Sequence, residues 1–175
     1  MIEFSRPQAD EYDPYYSDYI DRVEEADVIE VLRRQQADSE AVLMGLTDEA
    51  GSFRYAPDKW SVKEVVGHLS DTERVFAYRA LCIARGETQS LPGMDQDIYV
   101  AGAGFDSRGM DSLAEEFSAV RSATIALFES FDQQSWARSG VANGVEISVR
   151  ALAFIVAGHE SHHMAILRDR YRVGS

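Results

Sequence analysis

The residues best equipped for chemistry in this sequence are its histidines. There are four in 175 residues, and three of them fall in one run, Gly158-His159-Glu160-Ser161-His162-His163. On a helix, residues four apart stand one above the other on the same face, so His159 and His163 can grip a single metal ion. The run is not the H-E-x-x-H signature of zinc proteases, because the paired histidines enclose three residues of a different pattern. His162 competes with His163 for the ligand role, and the apolar stripe decides between them. At about 100° per residue, Val149, Leu152, Val156, His159 and Leu167 fall within about 40° of His163, whereas His162 lies about 100° away. His159 and His163 therefore face the core. Each buried imidazole needs a polar partner, and one shared ion supplies both.

Two imidazoles leave a metal under-coordinated, so a third ligand must come from elsewhere. His68 is the one other histidine, and it sits beside an apolar face made by Val65, Leu69, Phe76 and Ile83. Carboxylates are alternatives: Glu64 and Asp71 on the same flank, and Asp95 and Asp97 further on. Spacing alone leaves the choice open.

The elements that must position these residues are helical. Four stretches carry apolar residues at three- and four-residue spacings: about Asp27 to Leu46, Ser61 to Arg85, Ser112 to Phe131 and Ser148 to Tyr171. The second opens on Ser61-Val62-Lys63-Glu64, a capping box, and stops at Gly86. In the first, Gln35 and Ser39 share the apolar stripe, polar residues on an inward face. About Gly86 to Asp111 reads as a long connecting loop, and long loops in compact domains tend to be functional. Asn143-Gly144 marks a short hairpin or turn before the last helix. Residues 1–25 read as an extended N-terminal arm whose tyrosines (Tyr12, Tyr15, Tyr16 and Tyr19) pack along the outside of the bundle. The expectation is an all-α single domain over residues 1–175, a four-helix bundle with a long crossover between its second and third helices.

Composition bounds the partners. A net charge of −13 repels phosphate backbones and anionic lipid heads, which argues against nucleic acid and membrane surfaces. No apolar run reaches the roughly 18 residues of a membrane span. The N-terminus lacks a basic segment followed by an apolar one, so the protein is expected in the cytoplasm. The single cysteine, Cys82, excludes an intramolecular disulfide and reads as a small buried hydrophobe in a helix.

Two blocks, W-S-V-K-E-V-V-G-H-L-S-D-T-E from Trp60 and G-H-E-S-H-H-M-A-I-L from Gly158, resemble the DinB/YfiT-like superfamily. The resemblance spans nearly the whole chain, including RPQADEYDPYY, PGMDQDIY and the helix start at Ser148. It implies a four-helix bundle carrying a mononuclear site made by His68, His159 and His163. Members of that superfamily include thiol-dependent transferases and isomerases, and others are called metal-dependent hydrolases or stress-inducible proteins.

Three neutral imidazoles would leave an ion fully charged and with an open position, the arrangement of catalytic sites. Such an ion can lower the pKa of bound water or hold a substrate thiol as its thiolate. The expected function is therefore a metal-dependent enzyme, of thiol-dependent S-transferase or hydrolase type, acting on a small molecule. One divalent transition metal per chain, zinc or nickel foremost, and a low-molecular-weight thiol cosubstrate are the expected cofactors. Glu160 and Asp97 are the candidate general bases, although Glu160 also suits orienting an imidazole, and Asp95 and Asp97 also suit helix caps. A non-catalytic metal-binding stress-response protein is the alternative. A homodimer is the expected assembly.

Overall fold

The computed structural model describes residues 5–174; the first four residues of the expected N-terminal arm lie outside them. Four long helices make the bundle: α2 (Val28–Leu43), α4 (Val62–Ala84), α6 (Met110–Glu129) and α8 (Val149–Tyr171). Shorter helices join them: α1 (Ser17–Ile20), α3 (Asp48–Gly51), α5 (Gln96–Ala103) and α7 (Gln133–Trp136). A two-stranded antiparallel hairpin, β1 (Ser139–Ala142) and β2 (Val145–Ser148), precedes α8.

Three of the four long helices begin where a side chain at the N-cap satisfies orphan N–H groups. Asp27 caps α2 and Ser148 caps α8. At α4 the Glu64 amide donates to Ser61 Oγ at 3.0 Å, and the Ser61 amide donates to Glu64 Oε2 at 2.8 Å. The chain turns out of α4 at Gly86, whose φ of +90° suits glycine. The Asn143-Gly144 turn has both central residues at positive φ, +54° and +79°, the combination that closes a tight hairpin.

Each of α2 and α4 packs against both α6 and α8. Their buried side chains divide into two apolar clusters, and the order in which each helix visits them gives its direction. Both α2 and α8 run from the cluster of Val28, Leu32, Leu152 and Val156 to that of Leu43, Met164 and Leu167. Both α4 and α6 run the opposite way, from Val65, Leu69, Leu113 and Phe117 to Phe76, Ile83, Ile125 and Phe128. Neighbours α4 and α6 thus point the same way, so the chain must return along the bundle between them. A 23-residue helix such as α4 is roughly 34 Å long, which is why the crossover is long.

The crossover is more ordered than a loop. It contains α5, capped by Asp95 and ended by Gly104 at φ +65°, followed by a 3-10 turn at Phe105–Ser107. The Leu91 amide donates to the Val141 carbonyl at 2.8 Å, and the Asn143 amide to the Leu91 carbonyl at 3.0 Å, pinning the crossover to the hairpin.

The N-terminal arm also differs from the extended strap expected. It forms a 3-10 turn at Pro14–Tyr16 and then α1, and it packs on α8. Tyr16, Ile20 and Val23 are buried in the main cluster, while Tyr15 stays exposed. The backbone of α1 approaches α8 so closely that a Cβ at Gly158 would stand 1.9 Å from the Tyr19 carbonyl oxygen. Glycine at 158 is what permits the contact. Cys82 is half-buried rather than buried, at the edge of the core.

Candidate metal centre

Between the two apolar clusters lies a polar layer to which all four long helices contribute. His68, Thr72 and Glu73 come from α4, Arg121 from α6, Gln35 and Ser39 from α2, and His159, Glu160 and His163 from α8. The layer holds two distinct groups, one of imidazoles and one of ions.

The imidazole group joins His68 to His159 and His163, each offering one ring nitrogen, and these three atoms lie within 4.8 Å of one another. Ring centres stand 5.0 Å apart for His68 and His159, 4.9 Å for His68 and His163, and 4.5 Å for His159 and His163. The Nε2 atoms of His68 and His159 approach to 3.1 Å. Two nitrogens bound tetrahedrally to one zinc at 2.0–2.1 Å stand about 3.3 Å apart, so this spacing suits a shared ion. His68 Nδ1 lies 3.2 Å from Thr72 Oγ1. With the proton on Nδ1, donated to the Thr72 hydroxyl, the Nε2 lone pair is free to face an ion.

Burial keeps the three rings in the neutral form that binds metal. It lowers the pKa of His68 to about 4 and that of His163 to about 3. His159 is held well below its usual value by burial first and by the neighbouring His163 and His68 second. His162 is outside the group; its ring packs edge-on against Tyr19 at 5.5 Å.

The carboxylates considered as ligands are engaged elsewhere. Glu64 serves the capping box and pairs with Arg54, and Asp71 pairs with Arg74 at 3.3 Å. Asp95 caps α5, accepting from the Asp97 and Ile98 amides at 3.0 and 3.2 Å. Asp97 is exposed in the first turn of α5 and is not among the residues lining the cavity beside the histidines.

Glu160 belongs to the ionic group. Its carboxylate accepts from Arg121 Nη1 and, at 2.5 Å, from the Ser39 hydroxyl. Arg121, fully buried, also grips Glu73 with two parallel bonds, Nε to Oε1 at 2.9 Å and Nη2 to Oε2 at 2.7 Å. Burial opposes the Arg121 charge, but the two carboxylates outweigh it and raise its pKa. Beside them Gln35 Nε2 donates to the Ala157 carbonyl at 2.9 Å and to Ser161 Oγ at 2.8 Å. These bonds tie α2 and α6 to α8 at the level of the histidines. Neither Glu73 nor Arg121 was singled out by periodicity, although Arg121 stands on the apolar stripe of Phe117 and Thr124, a visible anomaly.

A cavity of about 520 Å³ opens beside the imidazole group. His68, Thr72 and His159 line one end, and Phe76 and Arg79 line the same α4 face further along. Tyr15, Tyr16 and Tyr19 close a side of it, so the arm is part of the site. Tyr19 packs edge-on against His159 at 5.4 Å.

Residues 31–167 match the sequence model of the DinB superfamily, and the chain belongs to that superfamily. No curated protein matches the chain by sequence. Among solved structures, the fold is similar to that of YfiT from Bacillus subtilis, described as a probable metal-dependent hydrolase with an unusual four-helix bundle topology. The TM-score is 0.71 at 17% identity, over 98% of this chain and 94% of YfiT. A mycothiol-dependent maleylpyruvate isomerase is similar with a TM-score of 0.66 at 9% identity, over 83% of this chain and 61% of the isomerase.

Proposed function

We propose that His68, His159 and His163 hold one divalent transition-metal ion, zinc or nickel foremost, and that the chain is a metal-dependent enzyme acting on a small molecule in the adjoining cavity. The convergence of three ring nitrogens, those of His68 and His159 on residues that line the cavity, carries this reading. A bound ion would supply Lewis acidity and stabilise a thiolate or hydroxide at neutral pH. The chain's own residues would do the rest. Thr72 would hold His68 in the ligating tautomer, the Glu160–Arg121–Glu73 group would fix the spacing of α4, α6 and α8, and the tyrosines would limit water access.

Of the two reaction types, thiol-dependent S-transfer fits better than hydrolysis. Hydrolysis, even by a metal-held hydroxide, calls for a general base beside the ion to carry the remaining proton to the leaving group. Glu160 is committed to Arg121 and Ser39, and Asp97 is turned to solvent outside the cavity. Transfer from a thiol already held as its thiolate needs no such base. A cytoplasmic setting, with its pool of reduced small thiols, suits this chemistry.

Metal analysis and cobalt substitution test the proposal. Purified protein is expected to bind about one ion per chain, and Ala at His68, His159 or His163 to lower that affinity sharply, while His162→Ala does not. Small thiols are expected to add a sulfur-to-cobalt charge-transfer band. Undiminished binding in all three ligand variants would refute the site, and cobalt protein blind to every thiol would refute S-transfer. The homodimer expected from the sequence is tested by sedimentation, where a lone 19.5 kDa species at micromolar concentration would exclude it.

A further inference from the structure

One charge in the cavity has no carboxylate counterpart among the described residues. Arg79 is 4% exposed, yet among the described residues no carboxylate forms an ion pair with it. Its Nη2 donates to the Pro92 carbonyl at 2.7 Å, and the guanidinium carbon lies 5.5 Å from the centre of the Phe76 ring. Among the described residues its buried Nε–H has no hydrogen-bond partner. The other fully enclosed guanidinium, Arg121, is surrounded by two carboxylates, which is how a folded chain ordinarily accommodates such a charge. Burial pushes the Arg79 pKa down, with only tyrosines to counter it. A buried cation that lines a cavity and has no carboxylate partner among the described residues is suited to an anion brought by a ligand.

The placement relative to the imidazoles is set by α4. Eleven residues separate His68 from Arg79, three helical turns, so both lie on nearly the same face, with Thr72, Val75 and Phe76 between them along the cavity wall. Arg79 leans back over Phe76, toward the histidines, as long helical side chains do. From the guanidinium carbon the path runs 5.5 Å to the Phe76 ring centre and a further 6.4 Å to that of His159, which bounds the gap a ligand must span. Asp13 and Asp95 also line the cavity, but each carboxylate is occupied at a helix start, by the Tyr15 amide and by the Asp97 and Ile98 amides.

We propose that Arg79 is the anion subsite of this cavity, taking the carboxylate of a small organic substrate whose reacting end lies at the three imidazoles. Phe76 and Val75 would pack against the apolar chain between those ends. The far end of this assignment rests on the metal-centre reading, whereas the carboxylate contact does not.

The test uses protein labelled with nitrogen-15 in arginine, with and without one equivalent of zinc. It is titrated with 6-mercaptohexanoate and with 6-mercaptohexanol, which match in length and differ in the carboxylate. The Arg79 Nε–H resonance, identified by its loss in Arg79→Lys or by its proximity to the Phe76 ring protons, is expected to move downfield with the acid and not with the alcohol. This is expected in both metal-free and zinc-loaded protein. With zinc the acid is expected to bind about tenfold or more tighter than the alcohol, a preference that Arg79→Met abolishes. An Arg79 resonance unmoved by the acid in both forms overturns the subsite. A resonance that moves with equal affinity in both forms upholds the subsite and places the failure in the metal-centre reading.

Discussion

Replacing Arg121 with methionine removes a fully buried guanidinium and leaves Glu73 and Glu160, 4% and 2% exposed, facing each other without a cation. The methionine keeps much of the aliphatic volume, so the loss is electrostatic rather than a matter of packing. Three charge-assisted bonds to carboxylates disappear with it. Breaking a buried ionic group by removing one partner costs about 3–5 kcal/mol. For a domain of this size that lowers the melting midpoint by very roughly 6–20 °C, at about 2–4 °C per kcal/mol. The deficit carries its own pH signature. Burial already raises the Glu160 pKa, with Arg121 and Ser39 opposing it, and removing Arg121 raises it further. A carboxyl whose folded pKa lies above its unfolded value adds stability below the unfolded value and loses it as pH rises through the folded one. Protonation also limits the penalty for each carboxyl to about 1.4 kcal/mol per pH unit above the unfolded pKa. The loss in Arg121→Met is therefore expected to be largest near pH 7.5 and to shrink toward pH 5, and adding Glu73→Gln and Glu160→Gln should recover part of it. Melts followed by far-ultraviolet circular dichroism at both pH values measure this against wild type. A loss under about 1 kcal/mol at pH 7.5, or one equal at both pH values, would refute the view that the ionic group holds the helices at this level.

Two further outcomes follow from the same layer and its surroundings. Metal-free protein is expected to stay helical but to lose stability as pH falls below about 6.5. His68 and His159, buried, and His163, half-buried, have depressed folded pKa values, so their contribution is present above the unfolded value and lost as pH drops toward about 4 and about 3; unchanged melts between pH 7.5 and 5 would count against this desolvation. Gly158→Ala, whose Cβ would meet the Tyr19 carbonyl, is expected to cost about 1–3 kcal/mol and to speed proteolysis of the N-terminal arm, a cleavage pattern matching wild type being the contrary result.

Several features are legible in the sequence because their physics is local. The Ser61–Glu64 capping box, the Asp27 and Ser148 caps and the glycine stop at Gly86 act over three or four residues. The helical period alone places His159 and His163 on one face and His162 to the side. The Asn143-Gly144 pair specifies its hairpin through its own backbone preferences. The crossover helix was not legible in this way. Gln96–Ala103 is short, with Ile98 and Tyr99 exposed and Val100 alone buried, so it shows no apolar stripe.

The rest depends on contacts between residues far apart in the chain. Periodicity marks Glu160 as adjacent to a candidate ligand, but its partners, Ser39 and Arg121, come from two other helices, and only packing brings the three together. Arg79 and Arg121 both stand as charges on apolar stripes, and the sequence does not say which of them receives carboxylates. The tertiary structure decides it, because α6 carries Arg121 between Glu73 and Glu160 while Arg79 faces the cavity. The arm's tyrosines likewise announce that the arm will pack on the bundle, but not that Tyr16 is buried while Tyr15 stays exposed, nor that both wall the site. The sequence by itself determined the four long helices, their inward faces and the pairing of His159 with His163, since these follow from a 3.6-residue period and nearest-neighbour capping. Bringing His68 to that pair, across 91 residues, was decided by the parallel course of α4 and α6 and the antiparallel packing of α8 on α4, which no local preference encodes.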